Sequence, residues 1–269
     1  MFPKFSPKFL KQRNENAAQS DVEKWQQFQS WYESDLGNKL GQREKETLES
    51  CLPNLFGYYL LQCGCPEIKL EKKSGNWLKS SRVASHICLD YVLNQGISCQ
   101  SDLAHLPMKA DSLDIVVLPH VLEFSSSPHQ VLREAERVLI AEGHVVILGF
   151  NPWSVWNIFR FFMFWRTQPP WNARFLASSR VIDWLSLLGF DVIERKGYFY
   201  QLPIQNEKLL NKMSFLEKIG QRFFSNFGAG YAIVARKRVQ TLTPIRPNWR
   251  NSRRKVMAGA FETTNRNKL

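Results

Sequence analysis

Residues 102–152, DLAHLPMKADSLDIVVLPHVLEFSSSPHQVLREAERVLIAEGHVVILGFNP, constrain the fold more than any other stretch, because they read without interruption as strand, loop, helix and strand. Ile115, Val116, Val117 and Leu118 form a near-continuous apolar run within residues 113–118, the pattern of a parallel strand covered on both faces. Asp111 and Ser112 supply the turn before it. A helix is predicted over residues 128–139, with Ser127 as its cap and Pro128 in the first helical position. Val131, Leu132, Ala135, Val138 and Leu139 repeat on one face of it, while Arg133, Glu134, Glu136 and Arg137 mostly face water. Glu142 and Gly143 turn the chain into a second buried strand, residues 144–150, which Asn151 and Pro152 end. Ligands of open α/β sheets bind beyond the carboxyl ends of such strands. Residues 119–123 and 149–153 are therefore placed at the expected site.

Further strands are predicted at residues 57–62, 83–89 and 97–100, then from residue 190 to 193 and at 231–235. Residues 179–188 form a helix stopped by Gly189. Residues 207–228 are expected to hold a helix or two and a mobile link. Upstream, residues 1–20 are polar without periodicity and read as disordered. Trp25, Phe28, Trp31, Leu36, Leu40 and Leu48 then recur at helix-like spacing, with a break expected at residues 35–37. This helical preface, residues 21–53, is expected to pack on the sheet or over the ligand site, its aromatics serving as core ahead of a binding cage. The main domain spans 54–236, and residues 237–269 are expected to form a basic, disordered tail.

With 269 residues and 44% hydrophobic content, the chain can bury one sizeable α/β core. No stretch reaches the roughly 20 apolar residues that a membrane-spanning helix needs, and no secretory signal follows the basic N-terminus. Five cysteines, an odd number in a chain large enough to fold without disulfides, fit a reducing cytoplasm. Cys63 and Cys65 lack a second pair at zinc-like spacing and read as plain thiols. The net charge of +12 is uneven: residues 237–269 hold nine Lys and Arg against one acid, so +8 lies in the tail and +4 in the rest. This arm, with Trp249, either holds RNA through phosphate contacts and one stacking residue or is a solubilising extension.

The motifs Asp-x-x-x-Leu-Pro at 102–107, Ser-Leu-Asp-x-Val at 112–116 and Leu-Arg-Glu-x-x-Arg-Val-Leu at 132–139, followed by a glycine turn into a strand, resemble the second half of a class I S-adenosylmethionine-dependent methyltransferase of the small-molecule type. The resemblance covers about residues 50–236 and includes residues 55–62 and 149–154. It implies a Rossmann-like, seven-stranded, mostly parallel sheet with helices on both faces and an antiparallel last strand. It also implies S-adenosylmethionine as cofactor and methyl transfer to an oxygen, nitrogen or carbon of an acceptor that these residues do not identify. The runner-up is a non-catalytic descendant of the fold that binds RNA or protein.

In that family, the turn after the first strand carries an acid and closely spaced glycines, because the backbone must approach the ligand without side chains in the way. Here the turn reads Gln62-Cys63-Gly64-Cys65-Pro66-Glu67, with one glycine and no acid at the family position. Gly64 is either the cofactor turn or an ordinary turn glycine, and Asp90 either a ribose ligand or a solvated strand-end acid. The resemblance assigns Asp102 to the adenine amine and Leu103 to the side of the ring, against a capping role in the turn. Leu118, Pro119 and His120 should wall the pocket. His120, with Glu123 nearby, is either a general base or a packing histidine. His86, His105, His129 and His144 show no ligand or triad spacing. Residues 152–165 concentrate Trp and Phe at the ligand edge, which suits a lid over an apolar substrate, a membrane-surface helix over residues 153–166, or packing on the core.

Overall fold

The computed structural model describes residues 7–64, 83–92, 97–162, 169–203 and 227–238. The chain divides into Met1–Val239 and Gln240–Leu269, and the second unit lies outside the described residues, as does most of the expected helix and link at 207–228. Seven strands form one sheet: β1 (Tyr59–Cys63), β2 (Ser85–Asp90), β3 (Cys99–Gln100), β4 (Leu113–Pro119), β5 (Leu139–Phe150), β6 (Phe190–Tyr198) and β7 (Gly230–Lys237). Their order is β3-β2-β1-β4-β5-β7-β6, with β7 antiparallel to both neighbours and the remaining pairs parallel. The chain builds outward from β1 in one direction, then returns to lay β4 on its other side. Neighbouring strand ends at β1 and β4 consequently diverge into different connections, the crevice in which open α/β sheets bind ligands.

The sheet's centre is apolar on both faces, as its sequence requires. Ile115, Val116, Val117 and Leu118 of β4 and Val145, Val146, Ile147 and Leu148 of β5 are all buried. Helix α3 (Val121–Phe124) follows β4 at once, and α4 (Pro128–Val138) then buries Val131, Leu132, Ala135 and Val138. Each such Val or Leu contributes about 1.5–3 kcal/mol by leaving water. Ser127 departs from expectation: its side chain makes no capping bond, and its carbonyl instead accepts the Gln130 and Val131 amides. β5 starts five residues earlier than its apolar core suggests, because Leu139 already pairs with Leu113. β6 likewise runs on to Tyr198, carried by its pairing with β7 despite charged residues at 194–196.

Helix α1 spans Pro7–Tyr32, so residues 7–20, expected to be disordered, are helical. Polar composition conceals the helix, whose last three turns carry a docking face. Trp25, Phe28 and Tyr32 are fully buried there. The break before α2 (Asp35–Cys51) falls at residues 33–34 rather than 35–37, because Ser34 caps α2 by accepting the Gly37 amide at 3.1 Å. Gly37 is needed at that crossing: a Cβ would meet the Trp31 carbonyl oxygen at 2.4 Å. Helices α5 (Val155–Phe162) and α6 (Ser178–Leu187) complete the described elements.

Candidate functional site

The carboxyl ends of β3, β2, β1 and β4 collect the expected cofactor residues along one edge. Cys63 pairs with Leu89, so Gly64 and Asp90 follow on adjacent strands, and the Ser101 amide donates to the Asp90 carbonyl at 3.0 Å. Gly64 has φ +81°, a left-handed conformation that favours glycine. Its amide donates to the Leu89 carbonyl at 2.7 Å, which holds the turn against β2. Asp90 is fully buried rather than solvated; it accepts from its neighbour's amide, Tyr91 N, at 2.6 Å and from Gln29 Nε2 at 2.9 Å.

Helix α1 lies over these two positions. A Cβ on Gly64 would meet Trp25 Cζ2 at 2.7 Å, so the indole fills the side-chain space that the glycine leaves open. Gln29, one turn further on, gives Asp90 a donor where the resemblance expects ribose hydroxyls. The preface thus packs over the ligand edge, with its aromatics as core: Trp25 and Phe28 lie against Phe124, and Phe28 against His120 and Phe150. Two buried polar atoms beside Gly64 nevertheless lack a partner among the described residues, Gln62 Oε1 and Trp25 Nε1. Gln62 occupies the place of the family's acid, and its Nε2 donates to the Gly64 carbonyl at 3.1 Å. A buried orphan costs about 1–3 kcal/mol, so this corner is suited to a polar ligand.

Asp102 and Leu103 separate. Leu103 is fully buried, while Asp102 is exposed and occupied locally, accepting the Ala104 amide at 2.9 Å and facing His105 Nδ1 at 2.8 Å. Leu118 and Pro119 are buried at the end of β4, where they form wall rather than surface.

His120 is fully enclosed in a left-handed residue, φ 57°, that turns β4 into α3. Its Nε2 lies 2.8 Å from Glu44 Oε1 and its Nδ1 3.3 Å from Glu123 Oε2. Burial alone lowers the imidazole's pKa, but Glu123 and then Glu44 outweigh it and push it up to about 10. His120 therefore holds its proton near neutrality and donates to both carboxylates, the opposite of a base waiting for one. Tyr32 Oη donates to Glu44 Oε2 at 2.7 Å, Tyr198 Oη to Glu44 Oε1 at 3.3 Å, and the Phe150 amide to Glu123. Burial, followed by Glu44, holds both phenols well above their ordinary range.

Sequence reasoning paired His120 with Glu123 but missed Glu44. In GQREKETLES it resembles one more charge on a solvated helix. Its signal was the four-residue step shared with Leu36, Leu40 and Leu48, which places it on the buried face of α2. Gln29 and Gln62 carried no comparable mark.

In the aromatic stretch after β5, Trp156 is buried and its Nε1 donates to the Gln201 carbonyl at 2.9 Å, while Trp153 and Ile158 are exposed. Trp156 thus serves as core while its neighbours reach the surface; residues 163–168, Cys65 and the tail from residue 239 lie outside the described residues. No helix among the described residues is long and apolar enough to cross a membrane.

A family profile described as a methyltransferase domain matches residues 79–147, a stretch that begins downstream of the Gly64 turn. An Escherichia coli protein, uncharacterized protein YafS, is 31% identical over 236 residues, covering 86% of this chain and 90% of that protein. Among solved structures, a putative methyltransferase of Haloferax volcanii, in complex with its Trm112 activator, superposes with a TM-score of 0.54 at 16% identity over 80% of this chain and 98% of its own. A Thermotoga maritima S-adenosylmethionine-dependent methyltransferase, described as a possible histamine N-methyltransferase, gives 0.50 at 16% identity over 72% and 88%. The strand order and the matched domain agree: this chain belongs to the class I S-adenosylmethionine-dependent methyltransferases, and it forms one family with YafS, most of whose length it spans.

Proposed function

We propose that the protein transfers a methyl group from S-adenosylmethionine to a small-molecule acceptor, and that helix α1 must withdraw from the strand ends for the cofactor to enter. The observation that carries this reading is the pair of partnerless buried atoms beside Gly64, Gln62 Oε1 and Trp25 Nε1, at the turn that the family uses for the cofactor's amino acid. Gln62 Oε1 would accept from the ammonium in place of the family's acid, and Gly64 would let the backbone come close. Asp90 would take the ribose hydroxyls once Gln29 releases it, Asp102 and Leu103 would flank the adenine, and Leu118 and Pro119 would wall the pocket. When bound, the cofactor supplies an electrophilic methyl group on its sulfonium. The protein's part is to hold the acceptor in line with it and to exclude water. His120, protonated between Glu44 and Glu123, serves as the post that fixes α2 against α3 beside the site, so a base, where the acceptor needs one, comes from elsewhere.

Calorimetric titration with S-adenosylmethionine and its demethylated product tests the assignment. Both should bind. Asp90→Ala should weaken binding by about 1–3 kcal/mol, the usual loss for a buried hydrogen-bonded group, and Asp102→Ala, at an exposed position, by about 0.5–1.5 kcal/mol, whereas Gln29→Ala should strengthen it by freeing Asp90. Absence of binding at millimolar ligand to the wild type and to Gln29→Ala alike would leave the chain as a non-catalytic member of the family.

A further inference from the structure

Arg133, Arg174 and Arg180 reach one concavity from three separate segments: the second turn of α4, the coil before α6 and the first turn of α6. The concavity measures about 560 Å³, within the range of small-molecule sites. Ser126, Ser127, Gln130 and His129 complete its polar lining, and no acid among the described residues contributes to it. We propose that this concavity is a binding site for the phosphate group of a phosphorylated small molecule.

The charge pattern argues for it. Arg43, Arg137, Arg236 and Arg238 each pair with an acid, Glu46, Glu134, Glu142 and Asp191 respectively. Arg133, Arg174 and Arg180 pair with none among the described residues, although they face a common space. Nearby acids are turned to other tasks: Asp21 accepts the Ser126 amide at 2.6 Å, Glu134 is held by Arg137, and Glu136 by Lys237. Asp183 is exposed on α6 and does not line the concavity. Three like charges around a hollow repel one another, and an anion of two or more charges removes that repulsion. Guanidinium forks match phosphate oxygens two at a time, a geometry that favours phosphate over a single carboxylate. The first turns of α4 and α6 contain no acid, so their positive ends reinforce the field.

The walls are fixed rather than loose. Leu176 is buried at the base, the His129 ring packs on Trp184 with centroids 4.0 Å apart, and the Arg174 amide donates to the Glu123 carbonyl at 3.2 Å. That last bond ties the concavity to α3 at the end of β4. A ligand anchored here by its phosphate would extend toward the edge where, if the methyltransferase reading holds, the acceptor lies.

The test uses the full-length protein and pyrophosphate as probe, titrated by calorimetry at low and physiological salt, alongside S-adenosylmethionine. Pyrophosphate should bind the wild type, and Arg174→Gln and Arg180→Gln should each weaken it at least tenfold while the thermal midpoint stays within a degree or two. Arg→Lys at either position should restore only part of the loss, because the fork is gone. No pyrophosphate binding by a protein that still binds S-adenosylmethionine would overturn the site and leave the proposed activity standing. Pyrophosphate binding without S-adenosylmethionine binding would do the reverse. Capture of single-stranded RNA, undiminished in the glutamine variants and without pyrophosphate binding, would also overturn it.

Discussion

Glu44, His120 and Glu123 are shut away from water with nearly every polar atom matched, whereas Arg133, Arg174 and Arg180 stand exposed around one concavity and unmatched among the described residues. Both groups stand beside the carboxyl end of β4. Their difference follows from what it costs to leave a charge alone. Inside the core an isolated ion is expensive, so the fold encloses His120 only together with two carboxylates and two phenols. At the surface, water screens a guanidinium and the fold gains little from pairing it. The enclosed group is therefore committed to holding α2, α3 and β6 together, and the open one is available to a ligand. Substitutions should separate accordingly: those in the first group should move stability, those in the second should move only binding.

The largest effect is expected for Glu44→Ala. Removing one partner from a buried ion pair costs about 3–5 kcal/mol, read as a lower urea midpoint at unchanged slope. A loss under about 1 kcal/mol would mean that the His120 cluster does not hold the preface to the sheet. Next comes pH. Since the folded-state pKa of His120 is raised from 6.5 to about 10, its contribution is complete below pH 6.5 and fades as pH rises toward 10. Stability should fall from about pH 6.5 toward 10; the part of that slope between about pH 6.5 and 8 lies below the ordinary titration of the thiols and phenols, whose folded pKa values burial also raises. His86 and His144 shift downward and act only on the acid side of that window. Glu44→Gln should flatten the slope, and an equal slope in that variant would assign it to another group. Tyr32→Phe removes a single hydrogen bond to Glu44 and should cost about 1.5–3 kcal/mol, the range for a bond to a charged group.

The same contrast separates what the sequence made legible from what it concealed. β4, α4 and β5 were readable because burial on both faces of a strand and on one face of a helix writes a local apolar period. The seven-stranded, mostly parallel sheet followed from the family resemblance built on that stretch, and the strand-end positions of Gly64 and Asp90 from the strands read at residues 57–62 and 83–89. Glu44, Gln29 and Gln62 were not readable as site residues, since their roles arise from contacts with residues far along the chain: Glu44 meets His120, and Gln29 meets Asp90. Residues 7–20 misled for a related reason: they belong to a helix, yet their sequence is polar and carries no apolar period. The arginine concavity was hidden most deeply. Arg133 sits on the helix face that the period assigns to water, and the assignment is correct; nothing local tells that Arg174 and Arg180 are brought to the same water.

The smallest effect is also the sharpest test of the comparison. Arg180→Gln removes a charge from a group that already repels itself, at an exposed position in the first turn of α6, where a positive side chain opposes the helix dipole. Its loss should leave stability within about 0.5 kcal/mol of the wild type, as exposed substitutions usually do, and any residue of effect should be stabilising. Added pyrophosphate should then raise the thermal midpoint of the wild type, because a ligand that binds only the folded state stabilises it by mass action, and should raise that of Arg180→Gln much less. If Arg180→Gln instead unfolds the protein as Glu44→Ala should, the arginines are structural after all, and the two clusters differ in exposure but not in kind.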